Sequence, residues 1–265
     1  MPSISSLWHF FWQTSSVQDR PRKQTMSERL DVIAVGAHPD DVEVACGGTL
    51  AALAAAGRRI GIVDLTDGEP TPYSTGTAQR MEEADQAASE LGVQRRIQLG
   101  LPNRELMDSV EARIKLATIF RRYRPQLVIS FGDKTPLASP DHYQAMLISD
   151  AAVFYSRLSK WQDRFDDLQP HMIDRHLYFR LALEPITLQG NNFHTVVDIT
   201  ETLETKIRSV FCYHSQFDHK HGIEDRIRAA AVMTGTLAGV KAAECFAAAK
   251  PYATEDLWQS LSLPK

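Results

Sequence analysis

His38, Asp40 and Asp41 stand together in "VIAVGAHPDDVEVACGG", directly behind an apolar run and just ahead of two glycines. Adjacent carboxylates repel each other where a strand turns into a helix, so the pair needs a use. A turn beginning at Pro39 points His38 and Asp41 toward one spot and aims Asp40 beside it. An imidazole nitrogen and a carboxylate oxygen are good zinc ligands, and a catalytic zinc takes one more protein ligand plus water. A divalent cation reverses the local charge balance, so one carboxylate binds metal while its neighbour accepts a proton from water. The same spacing also fits a plain turn, with Pro39 setting φ and an aspartate answering the helix dipole. A second cluster tips the weighing toward metal. In "SPDH", His142 falls on the first turn of another helix beside Asp141, with Ser139 as N-cap and Pro140 as first helical residue.

The elements that must position these residues are legible as a pattern. Short β-branched runs at Val32–Ala37, Gly61–Thr66, Arg96–Leu101, Leu127–Phe131, Leu177–Leu181 and Thr195–Ile199 alternate with longer segments of helical spacing. Thr49–Ala56, Ala78–Leu91, Val110–Arg122 and His142–Leu158 read as crossover helices. The segments 200–217 and 223–248 read as two further helices, the second alanine-rich and either buried or at a subunit contact. This alternation predicts an α/β, Rossmann-like three-layer sandwich around a mostly parallel sheet. In such sheets ligands gather at the carboxyl ends of the strands. The polar clusters "AHPDD", "DLTDGEPTPYSTGTAQR" and "FGDKTPLASPDHYQA" all fall at such ends.

Composition narrows the function classes. The 265 residues are 43% apolar and 23% charged with a formal charge of -4, which gives no general basic surface for nucleic acid. The three cysteines, Cys46, Cys212 and Cys245, lack CxxC spacing and suit a reducing, cytoplasmic compartment. Residues 1–28 read as a leader, 29–258 as the catalytic domain and 259–265 as a tail. The leader's aromatic cluster is too short and interrupted for a signal-peptide core, and no transmembrane helix is predicted. A dinucleotide site is disfavoured, since the chain has Gly36-Ala37-His38-Pro39-Asp40-Asp41 where GxGxxG would stand.

"AHPDDVEVACGGTLA" and "SPDH", with "LPNREL", "HSQF" and "GVKAAECF", resemble the LmbE-like or PIG-L family of zinc-dependent N-acetylglucosamine deacetylases. Within that family the resemblance is closest to the bacillithiol-pathway branch, which deacetylates N-acetylglucosaminyl malate. The resemblance implies one Zn2+ per chain, with Fe2+ as the alternative, held by His38, Asp41 and His142, and Asp40 as general base. It implies that Asp141 tunes a neighbouring group and that Arg80 holds the acidic or sugar portion of a small N-acetyl sugar substrate. Tyr73, in the same polar loop, suits hydroxyl recognition. Similar enzymes are often hexameric, so a homo-oligomer, trimer or hexamer, is an expected partner state; no membrane partner is expected.

One departure from the family pattern matters. The second cluster usually reads HPDH, and this chain has Ser139 where the first histidine would stand. That histidine helps polarise the amide carbonyl or stabilise the oxyanion, and losing one such donor costs ~10²–10³ in turnover. Ser139 or His214, in "YHSQFD", are the candidate substitutes. The alternatives to the main reading are a deacetylase or amidase on another N-acetyl sugar or thiol conjugate, and a sugar-binding protein that kept the fold without turnover. His219 and His221 read as solvated, and Cys46 as a packing residue.

Overall fold

The structure is a computed structural model that describes residues 29–135, 137–181 and 193–251, together with 253 and 255. The expected leader and tail lie outside the described residues. Seven strands form one sheet in the order β3-β2-β1-β4-β5-β7-β6. They are β1 (Val32–Gly36), β2 (Ile60–Thr66), β3 (Arg95–Leu101), β4 (Leu127–Phe131), β5 (Arg175–Phe179), β6 (Phe193–Asp198) and β7 (Ala243–Ala248). The first five are joined by parallel ladders, and β7 runs antiparallel to both β5 and β6. Strands β1 and β2 are buried along their whole length, as expected of largely apolar interior parallel strands. Helices α1 (Asp41–Ala55), α2 (Thr77–Glu90) and α5 (Leu203–Phe211) pack together, and α3 (Val110–Tyr123) packs with α4 (Asp141–Tyr155). The predicted mostly parallel α/β sandwich is the fold observed. None of the helices among the described residues is long and apolar enough to cross a membrane.

The chain leaves β1 toward β2 on one side and reaches β4 on the other. Strand order reverses at that point, which opens a crevice above the carboxyl ends of β1 and β4. His38 follows β1 and His142 follows β4, so both clusters face the crevice from neighbouring strands.

Two expected helices differ. The alanine-rich stretch 223–248 is not one helix: α7 (Ile223–Ala238) ends at Gly239, whose φ of 74° closes it, and Ala243–Ala248 forms β7. The return is tight. A Cβ on Gly235 would sit 2.7 Å from the Val240 carbonyl oxygen, so only glycine lets the chain double back over the last turn. The stretch 200–217 breaks into α5 and the short α6 (His214–Phe217).

Helix α1 begins at Asp41, before the expected Thr49, and is itself broken at Cys46 (φ -144°, ψ 19°). The break frees the N–H groups of Gly48 and Thr49, which donate to the two carboxylate oxygens of Glu244 on β7 at 3.0 and 2.7 Å. Lys206 of α5 closes the arrangement with Nζ 2.6 Å from Glu244 Oε1, both side chains being buried. Beneath the first half of α1, Arg96 of β3 forms two bonds to Asp64 of β2, at 2.7 and 2.9 Å, and one to Glu43 of α1 at 2.5 Å. Tyr213 donates its hydroxyl to the same Glu43 oxygen at 3.0 Å. Buried charges persist only when paired and hydrogen-bonded, and these two networks lock α1 to the sheet.

A third buried polar group makes stability depend on pH. His176 of β5 has Nε2 2.8 Å from Ser130 Oγ of β4, its ring lies 4.5 Å from that of Tyr178, and Nδ1 is 4.0 Å from Asp150. Burial lowers its pKa from 6.5 to about 4, with Asp150 opposing. As pH falls below 6.5 the unfolded chain takes the proton first, so this stability is present above 6.5 and lost toward 4. Between pH 7.5 and 5 the loss from this residue should be about 2 kcal/mol. Urea midpoints of His176→Gln should fall less over that interval than those of the wild type. An identical pH dependence in the variant would remove His176 from the account.

Candidate active site

The HPDD turn is closed by the carboxylate it presents. Asp41 Oδ2 accepts the backbone N–H groups of Ala37 and His38 at 2.9 and 2.8 Å, while Thr66 Oγ1 donates to the Ala37 carbonyl at 2.9 Å. Gly36 leaves no room for a side chain, since a Cβ there would meet the His38 carbonyl oxygen at 3.1 Å and Asp41 Cβ at 3.2 Å. Asp40 sits at φ 119°, a left-handed conformation that costs a non-glycine residue of order 1–3 kcal/mol. Arg80, from the first turn of α2, holds the strained peptide from below by donating Nη2 to the Pro39 carbonyl at 2.5 Å.

His142 comes from the first turn of α4. Its ring stacks on Phe131 at 4.6 Å with an interplanar angle of 22°, and its Nδ1 lies 2.8 Å from Thr135 Oγ1. That leaves Nε2 3.3 Å from Asp41 Oδ1. His38 is held by the opposite nitrogen: Nε2 meets Asp141 Oδ2 at 3.2 Å, and Nδ1 faces Asp41 Oδ2 at 3.5 Å. Asp141 Oδ2 also accepts the backbone N–H of Arg104 at 2.7 Å, which brings "LPNREL" into the site. One ligand atom each from His38, Asp41 and His142 falls within 4.8 Å of the others. Neighbouring ligand atoms of a tetrahedral cation with bonds near 2 Å stand about 3.3 Å apart, so the observed donors fit a divalent metal in kind and in spacing.

The electrostatics follow from burial among charges. Burial works to raise Asp41, but the imidazoles of His142 and His38 hold it well below the ordinary carboxylate range. Burial works to lower His38, yet its hydrogen bonds to the carboxylates of Asp141 and Asp41 carry it up to about 10. Asp141 is held down by His38 and the Arg104 N–H against its own burial. Asp40 goes the other way: burial lifts it to about 6, Arg80 opposes and Asp41 adds. Asp40 keeps 18% of its side chain exposed, against 5% for Asp41. The two adjacent aspartates therefore differ, one fully engaged in the cluster and one left beside it.

The other sequence candidates are distributed differently. Arg80 is 1% exposed, stacks over Tyr213 at 5.4 Å, lies 3.7 Å from Asp40 and has Nε 3.5 Å from Glu69 Oε1. Ser139 Oγ accepts the Asp141 N–H at 3.3 Å, one residue before Pro140, the N-cap of α4. Tyr73 is 63% exposed and stacks on His219 at 3.9 Å. His214 is not brought into the cluster: it is 64% exposed and its polar partner among the described residues is Asp218, one turn on. Its neighbours carry the motif instead. Ser215 donates N–H and Oγ–H to buried Glu83 at 2.9 and 2.6 Å, and Gln216 reaches Thr71 at 2.9 Å. Sequence reasoning missed Thr135 and the Arg104 amide, neither of which carries a spacing signal.

A doubly wound sheet with a buried His–Asp–His cluster and a free carboxylate at its switch point defines the class, the metal-dependent N-deacetylases, which are hydrolytic enzymes. The model of the PIG-L family, described as GlcNAc-PI de-N-acetylase, matches residues 33–153 of the chain. The chain is 29% identical over 225 residues to diacetylchitobiose deacetylase of Thermococcus kodakarensis, covering 80% of each protein. It is 33% identical over 150 residues to a 1D-myo-inositol 2-acetamido-2-deoxy-alpha-D-glucopyranoside deacetylase of Catenulispora acidiphila, covering 45% of this chain and 49% of that one. The crystal structure of a conserved protein from Thermus thermophilus superposes with a TM-score of 0.72 at 33% identity, covering 85% of this chain and 97% of that chain.

Proposed function

We propose that this protein hydrolyses the acetamide of an N-acetylglucosamine unit in a small molecule, with N-acetylglucosaminyl malate as substrate and zinc as metal. The observation that carries the reaction is Asp40, a carboxylate kept out of the His38–Asp41–His142 cluster yet adjacent to it, with burial holding it at about 6. His38, Asp41 and His142 would hold a divalent cation, which would lower the pKa of a bound water and polarise the acetyl carbonyl. Asp40 takes the proton of the attacking water as the C–O bond forms, then delivers it to the nitrogen as the C–N bond breaks. Acetate and the free amine leave, and a group titrating near working pH suits both transfers. Asp141 holds His38 in register throughout. Arg80 fixes the turn from which Asp40 projects, its guanidinium being buried beneath that turn with Nε 3.5 Å from Glu69 Oε1.

The malate assignment rests on the sequence resemblance and on the rim of the site. Among the described residues Arg104 donates one side-chain N–H, to the Pro70 carbonyl at 2.6 Å, and Lys220 has no carboxylate within ion-pair distance. Free guanidinium and ammonium donors suit an acidic aglycone. A second reading has its own observation: the exposed Tyr73–His219 stack offers a platform for another ring, as in a disaccharide substrate. Acetate release from N-acetylglucosaminyl malate, diacetylchitobiose and N-acetylglucosaminyl inositol, with Asp40→Ala as control, separates them. Turnover of the malate compound alone supports the first reading, preference for the disaccharide the second, and no turnover of any would end the deacetylase proposal. The cytoplasmic reading rests on three free cysteines, and a homo-oligomer suits Val232, Met233 and Leu237, exposed on α7.

Ser139 is assigned to the turn ahead of α4, with the oxyanion left to other donors. Ser139→Ala is expected to lower stability by about 1 kcal/mol and to change kcat less than threefold. A 10²-fold fall in kcat would instead make the hydroxyl an oxyanion donor.

A further inference from the structure

We infer that Thr135 is a positioning residue that makes His142 present Nε2, with its lone pair free, to the metal cluster. The inference rests on the metal-site reading above. Stacking on Phe131 at 4.6 Å sets the plane of the imidazole but not its orientation within that plane. A half-turn about the Cβ–Cγ bond leaves the ring in the same plane and exchanges each nitrogen for a carbon. The Thr135 hydroxyl, 2.8 Å from Nδ1, breaks that symmetry, because only one of the two orientations meets a polar atom there.

A neutral imidazole carries one N–H, and a ligating nitrogen must offer its lone pair. With Nδ1–H donated to Thr135 Oγ1, the lone pair belongs to Nε2, the nitrogen 3.3 Å from Asp41. His38 is treated in mirror fashion by Asp141, which engages Nε2 and leaves Nδ1 for the cluster. The two outer partners differ in charge. Asp141 increases the basicity of His38, whereas Thr135 fixes orientation and tautomer with a neutral group. Thr135 stands seven residues before His142 in the loop after β4, and its hydroxyl meets the site through this contact.

The test is zinc affinity by chelator competition for wild type, Thr135→Val, Thr135→Ser and His142→Ala, with thermal midpoints of the metal-free proteins and visible spectra of their cobalt(II) forms. Valine keeps the shape and removes the acceptor; serine restores it. Thr135→Val is expected to bind zinc about 10–100-fold more weakly, with an altered cobalt spectrum, while Thr135→Ser stays close to wild type. Metal-free midpoints should agree across the threonine variants. Equal affinity of Thr135→Val and wild type overturns the inference, as does an equal loss in Thr135→Ser, which would point to packing of the methyl. A wild type that binds no more tightly than His142→Ala overturns the metal-site reading itself.

Discussion

Asp40→Asn should lower deacetylation turnover by about 10²–10⁴ while zinc affinity and thermal midpoint stay near those of the wild type. The expectation combines three features of one residue. Asp40 is adjacent to the cluster without belonging to it, so its loss leaves His38, Asp41 and His142 intact. Its φ of 119° is a conformation in which most side chains are strained, and asparagine is among the few residues enriched at positive φ. Alanine there mixes lost chemistry with a lost backbone preference, so asparagine is the cleaner probe. The amide is also isosteric and has no accessible proton-accepting oxygen of comparable basicity. Single-turnover kinetics at saturating metal measure the effect. Turnover within tenfold of wild type would mean that another group takes the proton.

Glu244→Ala carries the largest expected cost to stability, about 3–5 kcal/mol, although Glu244 is on the last strand and far in sequence from the chemistry. Its removal leaves the Lys206 ammonium, 1% exposed, without its carboxylate, and leaves the N–H groups of Gly48 and Thr49 without acceptors at the break in α1. Lys206→Met should cost less, because the Glu244 carboxylate keeps both helix N–H donors when the lysine is gone. Urea denaturation of the two single variants and the double variant gives the coupling between them. If Glu244→Ala loses under 1 kcal/mol, the pair is not structural. The consequence for the site is indirect, since α1 starts at the ligand Asp41 and Glu244 anchors its second half.

The clusters were legible because each is local. "AHPDD" and "SPDH" both follow an apolar run and open a helix, and a strand–turn–helix unit determines by short-range geometry where its turn residues lie. The parallel core was legible for the same reason, β1 being a continuous apolar run and β2 one interrupted only by Asp64 before its terminal Thr66. Long-range partners left no such trace. Arg80 reads as a surface arginine at a helix start, but the loop carrying Gly68 packs over it and only tertiary contact buries it beneath the HPDD turn. "HSQF" draws attention to His214, whereas the short helix turns that ring outward and uses Ser215 and Gln216 to tie α6 to Glu83 and Thr71.

By itself the sequence determined the fold class, the alternation of elements and the residue types that can bind a metal and move a proton, since these depend on periodicity and on side-chain chemistry. Tertiary structure alone decided that 243–248 is a strand. Alanine favours helix, but Gly239 stops α7 and the gap between β5 and β6 is filled by a chain whose backbone hydrogen bonds both neighbours can complete. It likewise decided that His142 presents Nε2 and His38 presents Nδ1 to Asp41, because Thr135 and Asp141 act through contacts that form only once β1, β4 and their loops are side by side.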